Sequence, residues 1–275
     1  MSGLDHYAVM GNPVGHSRSP FIHAAFAEET GQALTYTALL VEQDAFPSAV
    51  HRFRASGGKG LSITIPFKAS AYDLAEVRTD RAVQAQAVNT LHVLPNGTLL
   101  GDNTDGVGLL RDLTDNLGAV LAGIRVLVLG AGGATRGILH PLLSAEPRLV
   151  FIANRTPIRA RELANRFADV GTVRSGGFED LIGESFDLVI NATSASLQEE
   201  ILPLPDTLLA EGAWCYDLMY AATPSSFLRW ASEHGAARTS DGLGMLVEQA
   251  AEAFFLWRGI RPTTAPVIDS LRAHL

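Results

Sequence analysis

The segment RVLVLGAGGATRG, residues 125–137, decides the fold. Its run of valine and leucine leads directly into glycines and then into a helical pattern, which predicts a strand, a tight turn and a helix. Gly130 permits the turn, and Gly132 lets backbone N–H groups approach a pyrophosphate at the helix N-terminus. The segment therefore predicts a dinucleotide-binding unit, although Thr135 stands at the third glycine position of the usual motif.

The next predicted strand, LVFIANRT (residues 149–156), indicates which dinucleotide is bound. Folds that bind NAD usually end this strand with Asp or Glu, which takes the ribose 2′-hydroxyl. Here neutral Asn154 is followed by Arg155 and Thr156, and Arg159 comes one helical turn later. Because a guanidinium can bind phosphate oxygens in a bidentate fork, the pattern favours NADP over NAD.

The composition excludes several classes of protein. Among 275 residues, 29 acidic and 21 basic side chains give a net charge of −8, which argues against a nucleic-acid or anionic-membrane surface. The single cysteine, Cys215, cannot form an intrachain disulfide or build a structural zinc cluster. Neither an export signal nor a membrane span is predicted, so we expect a soluble, cytoplasmic protein. The oligomeric state stays open, with a homodimer as one option.

Strands and helices alternate along the whole chain, which predicts an α/β protein. Before the glycine segment, HYAVMG, TYTALLV and GLSITIP are typical of strands, and Asn96-Gly97 predicts a hairpin turn between two further strands. Ser19 is the expected N-cap of the first helix, with Gly31 beyond its end. Residues 106–239 are the expected Rossmann-like domain, and residues 1–105 form a separate α/β domain.

Candidate catalytic groups follow two of the early strands. Lys68 ends the segment ITIPFK, and GDNTDGVG places Asp102 and Asp105 between a strand and a helix. A nicotinamide enzyme that reduces a carbonyl needs a group that stabilises the developing alkoxide, and a lysine held by an aspartate supplies it. No tyrosine is followed four residues later by lysine, and no zinc-binding set exists. Taken alone, each charge is more often a surface charge or a helix cap.

Together these segments resemble the shikimate dehydrogenase family over almost the whole chain. GNPVGHSRSP, ITIPFK, QAVNTL, GDNTDGVG, GAGGATRG, NRTPIRA, NATSAS, YDLMY and DGLGMLVEQAAEAF follow in the family's order. The resemblance implies reduction of 3-dehydroshikimate to shikimate by NADPH, on the pathway to aromatic amino acids. The implied fold is an N-terminal substrate domain plus a Rossmann-like NADP-binding domain. Residues 240–275 would complete the first domain, because the last helix returns to it.

The resemblance also assigns roles to individual residues. Lys68 and Asp105 would be the catalytic pair, with Asp102 structural. The implied substrate-binding residues are Ser17, Ser19, Thr64, Asn89, Tyr220 and Gln249. The implied cofactor-binding residues are Gly130, Ala131, Gly132, Gly133, Ala134, Asn154, Arg155, Thr156, Arg159, Thr193, Gly242 and Met245. No metal is implied. Three departures from the family pattern are Ser62, where Asn is usual, Ala195-Ser196, where a glycine is usual, and YAATPSSFL from Tyr220 onward, a less regular version of its segment.

Two alternatives remain beside NADPH-dependent shikimate dehydrogenation. One is a related enzyme that prefers quinate or uses NAD, and the basic Arg155 and Arg159 count against NAD. The other is a protein that binds NADP without any turnover. The presence of both Lys68 and Asp105 counts against that alternative, because a binding module has no evident need for the pair.

Overall fold

The computed structural model describes residues 4–275, apart from the side chains of residues 197 and 198. The chain divides into two compact units. The first unit contains the chain up to Gly108 together with Val247–Ser270, and the second contains Leu109–Leu246 and Leu271–Leu275. The α/β class is confirmed. Of the C-terminal segment, Val247–Ser270 belongs to the first unit, whereas residues 240–246 and Leu271–Leu275 belong to the second.

The strands and helices are numbered in chain order. The strands are β1 Asp5–Gly11, β2 Leu34–Leu40, β3 Gly60–Ile63, β4 Val77–Arg78, β5 Thr90–Val93, β6 Leu99–Asp102, β7 Arg125–Leu129, β8 Leu149–Ala153, β9 Val173–Gly176, β10 Phe186–Asn191, β11 Leu209–Asp217 and β12 Arg238–Ser240. The helices are α1 Ser19–Thr30, α2 Phe46–Ala55, α3 Lys68–Leu74, α4 Asp80–Ala85, α5 Asp105–Arg111, α6 Gly133–Ser144, α7 Pro157–Arg166, α8 Ser226–Glu233, α9 Leu243–Arg258 and α10 Ala265–Ala273.

The first unit is built on a mixed six-stranded sheet in the order β2-β1-β3-β5-β6-β4. β1 pairs in parallel with β2 and β3, whereas β5 is antiparallel to both β3 and β6. The hairpin between β5 and β6 turns at Gly97, which has a φ of 86° that favours glycine. Because β5 reverses direction, its beginning lies at the same sheet edge as the ends of β3 and β6.

The two faces of this sheet bury different side chains. Met10, Leu61 and Ile63 point to the face covered by α2 and α3, where Phe46 stacks on Phe67 with ring centroids 4.6 Å apart. Trp257 of α9 covers the other face and donates a hydrogen bond of 3.0 Å to the carbonyl of Leu91. The part of α9 that carries Trp257 therefore contributes to the first unit's core.

One predicted boundary was wrong by a residue. Arg18, not Ser19, is the N-cap residue of α1, and the described contacts of its side chain include no capping hydrogen bond. Ser19 is instead the first residue of the helix and is 7% exposed. Pro20, which fixes its own φ, is compatible with the first turn and allows the helix to start one residue earlier. The hydroxyl of Ser19 is therefore not used as a cap.

The second unit contains a six-stranded sheet that is parallel throughout, in the order β12-β11-β10-β7-β8-β9. Counted within this unit, the strands follow the order of a Rossmann fold, in which the direction of winding reverses between β7 and β10. Val126 and Val128 point to one hydrophobic cluster, and Leu127 and Leu129 point to another on the opposite face. Burial on both faces explains why the residues of β7 after Arg125 are all apolar.

Neither a membrane-spanning helix nor a metal cluster is found within residues 4–275. No helix there has the length and hydropathy to cross a bilayer. The described side chains also include no group of three or more His, Cys, Asp or Glu arranged to hold a metal ion.

A buried histidine makes the stability of the first unit depend on pH. His23 of α1 is 1% exposed, and its ring stacks on Tyr36 with centroids 4.2 Å apart. Neither ring nitrogen has a hydrogen-bond partner within the part of the chain that the structure describes. Burial lowers the pKa of His23 from 6.5 to about 3, so the ring is neutral in the folded protein.

We predict that His23→Phe flattens the pH dependence of stability. Between pH 6.5 and the lowered pKa, the unfolded chain binds a proton that the folded chain rejects, so stability falls as pH falls through this window. From pH 7 to pH 5 the wild type should lose about 2 kcal/mol more unfolding free energy than His23→Phe. Urea denaturation at both pH values measures this difference. His51→Gln, on the exposed surface of α2, is the control. Equal losses in wild type and His23→Phe would contradict the prediction.

Candidate active site

One edge of the first unit's sheet gathers the predicted catalytic and substrate-binding residues. β1, β3 and β6 run in the same direction, and their C-terminal ends lie at this edge. Ser17 and Ser19 follow β1, Thr64 and Lys68 follow β3, and Asp105 follows β6. Asn89 immediately precedes the reversed strand β5, so it lies at the same edge. Ligands of open α/β sheets bind at such an edge.

Lys68 and Asp105 form an ion pair at this edge. Lys68 Nζ lies 2.5 Å from Asp105 Oδ2, and the two side chains are 29% and 10% exposed. Lys68 is the first residue of α3, and Asp105 is the first residue of α5. A carboxylate at a helix N-terminus is favoured by the helix dipole. The ammonium group therefore points at a partly buried carboxylate instead of extending from the strand end into solvent.

Asn89 is a hydrogen-bonding centre beside this pair. Its Nδ2 donates to Asp105 Oδ1 at 2.8 Å and to Thr104 Oγ1 at 2.9 Å, and it lies 3.5 Å from Gln249 Oε1. Its Oδ1 accepts a 2.9 Å hydrogen bond from the backbone N–H of Thr104. Asn89 is 3% exposed, so its amide group is buried within this cluster.

Ser17 and Thr64 lie in the loops that follow β1 and β3, and Ser19 is the first residue of α1. The backbone N–H of Ser19 lies 3.3 Å from Ser17 Oγ, within hydrogen-bonding distance. Thr64 occupies space left by Gly11, where an added Cβ would lie 2.3 Å from Thr64 Cγ2. Short hydroxyl side chains in these loops can bind the oxygens of a small polar ligand.

Several residues of this site were missed by sequence reasoning. Thr104 is fully buried between Asn89 and Gln249, and Asn103 Oδ1 accepts a 3.1 Å hydrogen bond from the backbone N–H of Asp105. Both residues stand inside the motif GDNTDGVG, so the motif itself carried the signal. Arg81 was also missed, because its contact with Glu252 joins positions 171 residues apart.

The glycine loop of the second unit connects β7 to α6. Gly130 has a φ of 103°, and an added Cβ would lie 3.1 Å from the carbonyl oxygen of Ala192. Gly132 is the N-cap residue of α6, and an added Cβ there would meet no atom of the described residues within 4 Å. Gly133 and Ala134 begin α6. The loop thus leaves open space at a helix N-terminus, as a pyrophosphate requires.

Thr135 explains the departure from the third glycine of the motif. It is fully buried, and its hydroxyl donates a 2.9 Å hydrogen bond to the carbonyl oxygen of Gly130. The side chain closes the turn from inside, where a glycine would leave that carbonyl without this partner. Thr135 therefore supports the loop while the glycines keep its outer side clear.

Asn154 links the glycine loop to the basic segment. Its Oδ1 accepts a 3.2 Å hydrogen bond from the backbone N–H of Ala131, and its Nδ2 donates a 2.9 Å hydrogen bond to the carbonyl oxygen of Thr156. Arg155, Thr156 and Arg159 are exposed around the start of α7. Since cations are disfavoured at a helix N-terminus, two arginines there are better explained by an anionic ligand.

Thr193 lies beside the glycine loop and belongs to a polar network at the ends of β10 and β11. Asn191 Oδ1 accepts from Thr193 Oγ1 at 2.7 Å, and Asn191 Nδ2 donates to Ser196 Oγ at 3.0 Å. Ser196 donates in turn to Asp217 Oδ2 at 2.5 Å. Asp217 is fully buried and also accepts from Ser225 at 2.6 Å. Ser196, from the Ala195-Ser196 pair that departs from the family pattern, thus connects Asn191 to Asp217.

The remaining predicted residues of the second unit lie in two further segments. Gly242 and Met245 flank the start of α9, and an added Cβ on Gly242 would lie 2.2 Å from the carbonyl oxygen of Leu218. Tyr220 is half-buried in the segment after β11. The structure therefore groups Lys68, Asn89, Asp105 and Gln249 by direct contact, whereas Tyr220 belongs to the other unit.

One unit has the strand order of a Rossmann fold, a glycine loop and a basic segment, and the other holds a lysine–aspartate pair. These features define a nicotinamide-dependent oxidoreductase of the α/β class. Three family models, which match successive parts of the chain, agree with this class of protein. The shikimate dehydrogenase substrate binding domain matches residues 9–91, shikimate / quinate 5-dehydrogenase matches residues 112–202, and the shikimate 5′-dehydrogenase C-terminal domain matches residues 242–272.

Individual relatives are similar over nearly the full length. A protein of Alkalilimnicola ehrlichii named shikimate dehydrogenase (NADP(+)) is 59% identical over 98% of both chains. The crystal structure of an Ael1 enzyme from Pseudomonas putida is 48% identical, with a TM-score of 0.92, and the match covers 97% of this chain and 98% of that one. A Thermus thermophilus shikimate 5-dehydrogenase in complex with NADP(H) and shikimate is 34% identical, with a TM-score of 0.88, over 99% and 100% of the chains. The chain belongs to the shikimate dehydrogenase family.

We predict that Ser196→Gly weakens the loop that carries Thr193. The substitution leaves Asn191 and Asp217 each one hydrogen bond short and adds backbone freedom. We expect the unfolding free energy to fall by about 1 to 2 kcal/mol and the KM for NADP⁺ to rise about fivefold. Thermal denaturation and steady-state kinetics measure the two effects. Ser194→Gly, an exposed neighbour, is the control. An unchanged KM for NADP⁺ in Ser196→Gly would show that the network does not support cofactor binding.

Proposed function

We propose that this chain catalyses the reversible NADPH-dependent reduction of 3-dehydroshikimate to shikimate in aromatic amino acid biosynthesis. The observation that carries the proposal is the Lys68–Asp105 pair, 2.5 Å apart at the ligand-binding edge of a sheet. The family membership supports it, because the relatives described above are named for this activity. The first unit is the proposed substrate domain, and the second is the proposed cofactor domain.

Lys68 and Asp105 are the proposed catalytic pair. When the carbonyl of the substrate is reduced, negative charge develops on its oxygen, and an ammonium group can stabilise it and donate a proton. Asp105 holds the Lys68 ammonium in place with one oxygen and accepts from Asn89 with the other. NADPH, when bound, supplies the hydride. Lys68 is our choice for the proton donor, and Asp105 assists it.

The substrate is a small acid with several hydroxyl groups, and the proposed binding residues match its chemistry. Ser17 and Ser19 bind the carboxylate through hydroxyls, and Thr64, Asn89 and Gln249 bind the ring oxygens. Tyr220 is a further proposed substrate residue, contributed by the second unit. An analogue that lacks one of the substrate's hydroxyls would leave buried donors and acceptors of the site unpaired. Such analogues should therefore be rejected.

The cofactor is held by the second unit in this proposal. The Gly130–Ala134 loop binds the pyrophosphate, and Asn154, Arg155, Thr156 and Arg159 bind the adenosine ribose and its 2′-phosphate. Thr193, Gly242 and Met245 are the proposed neighbours of the nicotinamide. The space above Gly132 and the exposed arginines support this fit.

A cytoplasmic location is also proposed. It is supported by the lone Cys215, which is buried and free, because reducing compartments preserve such thiols. Burial also raises the pKa of Cys215 to about 12, so the thiol is unreactive. A homodimer stays an expectation of the sequence.

A quinate-preferring or NAD-using enzyme is the alternative to separate by assay. Absorbance of the reduced cofactor should be followed with shikimate and quinate, each paired with NADP⁺ and NAD⁺. The proposal expects the highest kcat/KM for shikimate with NADP⁺. Higher kcat/KM with quinate or with NAD⁺ would select the alternative, and no turnover in any pairing would indicate a binding protein.

We predict that Lys68→Ala abolishes most turnover while the substrate still binds. Because the charge of Lys68 is needed most in the transition state, kcat should fall about 10³-fold with little change in KM. Steady-state oxidation of shikimate measures both constants. Lys59→Ala is the matched control, since Lys59 is the other lysine of the chain and is exposed. Near-normal kcat in Lys68→Ala would reject the catalytic role.

We predict that Arg155→Ala and Arg159→Ala weaken binding of NADP⁺ but not of NAD⁺. Each guanidinium is proposed to make charge-assisted hydrogen bonds to the 2′-phosphate, so its loss should raise the KM for NADP⁺ about 10- to 100-fold. NAD⁺ lacks this phosphate, and its KM should stay within about twofold. Arg161→Ala, an exposed residue farther along α7, serves as the comparison. Equal effects on the two cofactors would show that these arginines do not recognise the phosphate.

A further inference from the structure

The first unit contains a chain of four alternating charges that lies next to the proposed catalytic pair. Arg81 of α4 donates from Nε to Asp102 Oδ1 at 3.1 Å and from Nη1 to Glu252 Oε1 at 2.9 Å. Arg81 Nη2 also contacts Asp102 Oδ2, and Arg261 contacts Glu252 Oε2. Asp102 is fully buried and Glu252 is 9% exposed, so these charges are largely removed from water.

Stability alone is a weak explanation for this network. The cost of burying charges often equals or exceeds their mutual attraction, and hydrophobic replacements of buried ion pairs are often neutral or stabilising. Burial tends to raise the pKa of Glu252, but hydrogen bonds from Arg261 and Arg81 outweigh it and lower the pKa. The carboxylate is thus held in its charged form between two guanidinium groups, and its geometry is fixed.

One branch of the network reaches the backbone of the catalytic residues. Asp102 Oδ1 accepts from Thr79 Oγ1 at 2.5 Å and from the backbone N–H of Asn103 at 2.7 Å. Asn103 in turn accepts from the N–H of Asp105 at 3.1 Å. The N–H of Asn89 donates to the carbonyl of Asp102 at 3.0 Å. A shift of Asp102 would therefore move both Asp105 and Asn89.

The other branch reaches Gln249. Glu252 lies three residues after Gln249 on α9, so the two side chains share one face of the helix. Gln249 Oε1 lies 3.4 Å from Thr104 Oγ1 and 3.5 Å from Asn89 Nδ2. By fixing Glu252, Arg81 sets the rotation of α9 that directs Gln249 toward Asn89.

We infer that Arg81 is a positioning residue that aligns the substrate-binding Gln249 with the Asp105–Asn89 side of the site through its simultaneous contacts to Glu252 and Asp102. The inference rests on the proposed function for the roles of Gln249 and Asp105. A planar fork is required, because one guanidinium spans both carboxylates at fixed angles, whereas an ammonium is a single point charge. Arg81 touches neither Lys68 nor the reacting atoms in this account, so it acts only through its partners.

Arg81→Lys and Glu252→Gln test the inference. Arg81→Lys keeps the positive charge but loses the fork that contacts Asp102 and Glu252 at the same time. We expect its KM for shikimate to rise about tenfold and its kcat to fall about tenfold, because small displacements of catalytic groups are costly. Glu252→Gln disturbs only the α9 branch and should raise the KM about fivefold with kcat within about twofold. The KM for NADP⁺ should stay within about twofold in both.

Arg54→Lys is the matched control, because Arg54 pairs with Glu76 at 2.7 Å on the exposed surface of the same unit. Hydrogen–deuterium exchange of the peptide that contains Gln249 is the readout independent of activity, and it should be faster in Arg81→Lys and Glu252→Gln but not in Arg54→Lys. Wild-type kinetics for shikimate in both variants, or unchanged exchange, would overturn the inference. An inactive wild type would instead reject the proposed function, and exchange alone would then decide whether Arg81 fixes α9.

Discussion

The ion pair between Lys68 and Asp105 is the interaction on which the site depends. Lys68 stands at the start of α3 and Asp105 at the start of α5, so two separate chain segments must meet to within 2.5 Å. The mixed sheet makes this possible, because the reversal of β5 brings its beginning to the edge where β3 and β6 end. Asn89 then binds the second oxygen of Asp105 and fixes the carboxylate.

The second unit satisfies a different constraint, which is to leave backbone N–H groups free for an anion. Thr135 closes the turn from inside by bonding the Gly130 carbonyl, so the outer side of the loop needs no side chain. Asn154 ties the loop to the segment that carries Arg155. Thr135, which departs from the common glycine motif, therefore supports the loop from inside and leaves the space for an anion open. Ser196 has a similar supporting place between Asn191 and Asp217.

Local patterns predicted much of this architecture, and long-range contacts account for what was missed. The turn from β7 into α6 and the hairpin at Gly97 follow from short apolar runs and glycine, which act over a few residues. The reversal of β5 relative to β3 depends on a chain path that passes through β4 and α4, and no local pattern indicated those two elements. The contact between Arg81 and Glu252 depends on α9 packing against a distant segment. Ser19 was misplaced by one residue because capping and first-turn preferences overlap.

The most direct test of the central claim is a double-mutant cycle in kcat with Lys68→Met, Asp105→Asn and the double variant. Groups that act as one catalytic unit are strongly non-additive, since removing either one already removes most of the rate enhancement. We expect the double variant to turn over shikimate no more than about threefold more slowly than the slower single variant. Independent effects that multiply in the double variant would contradict the claim that Lys68 and Asp105 work as a pair.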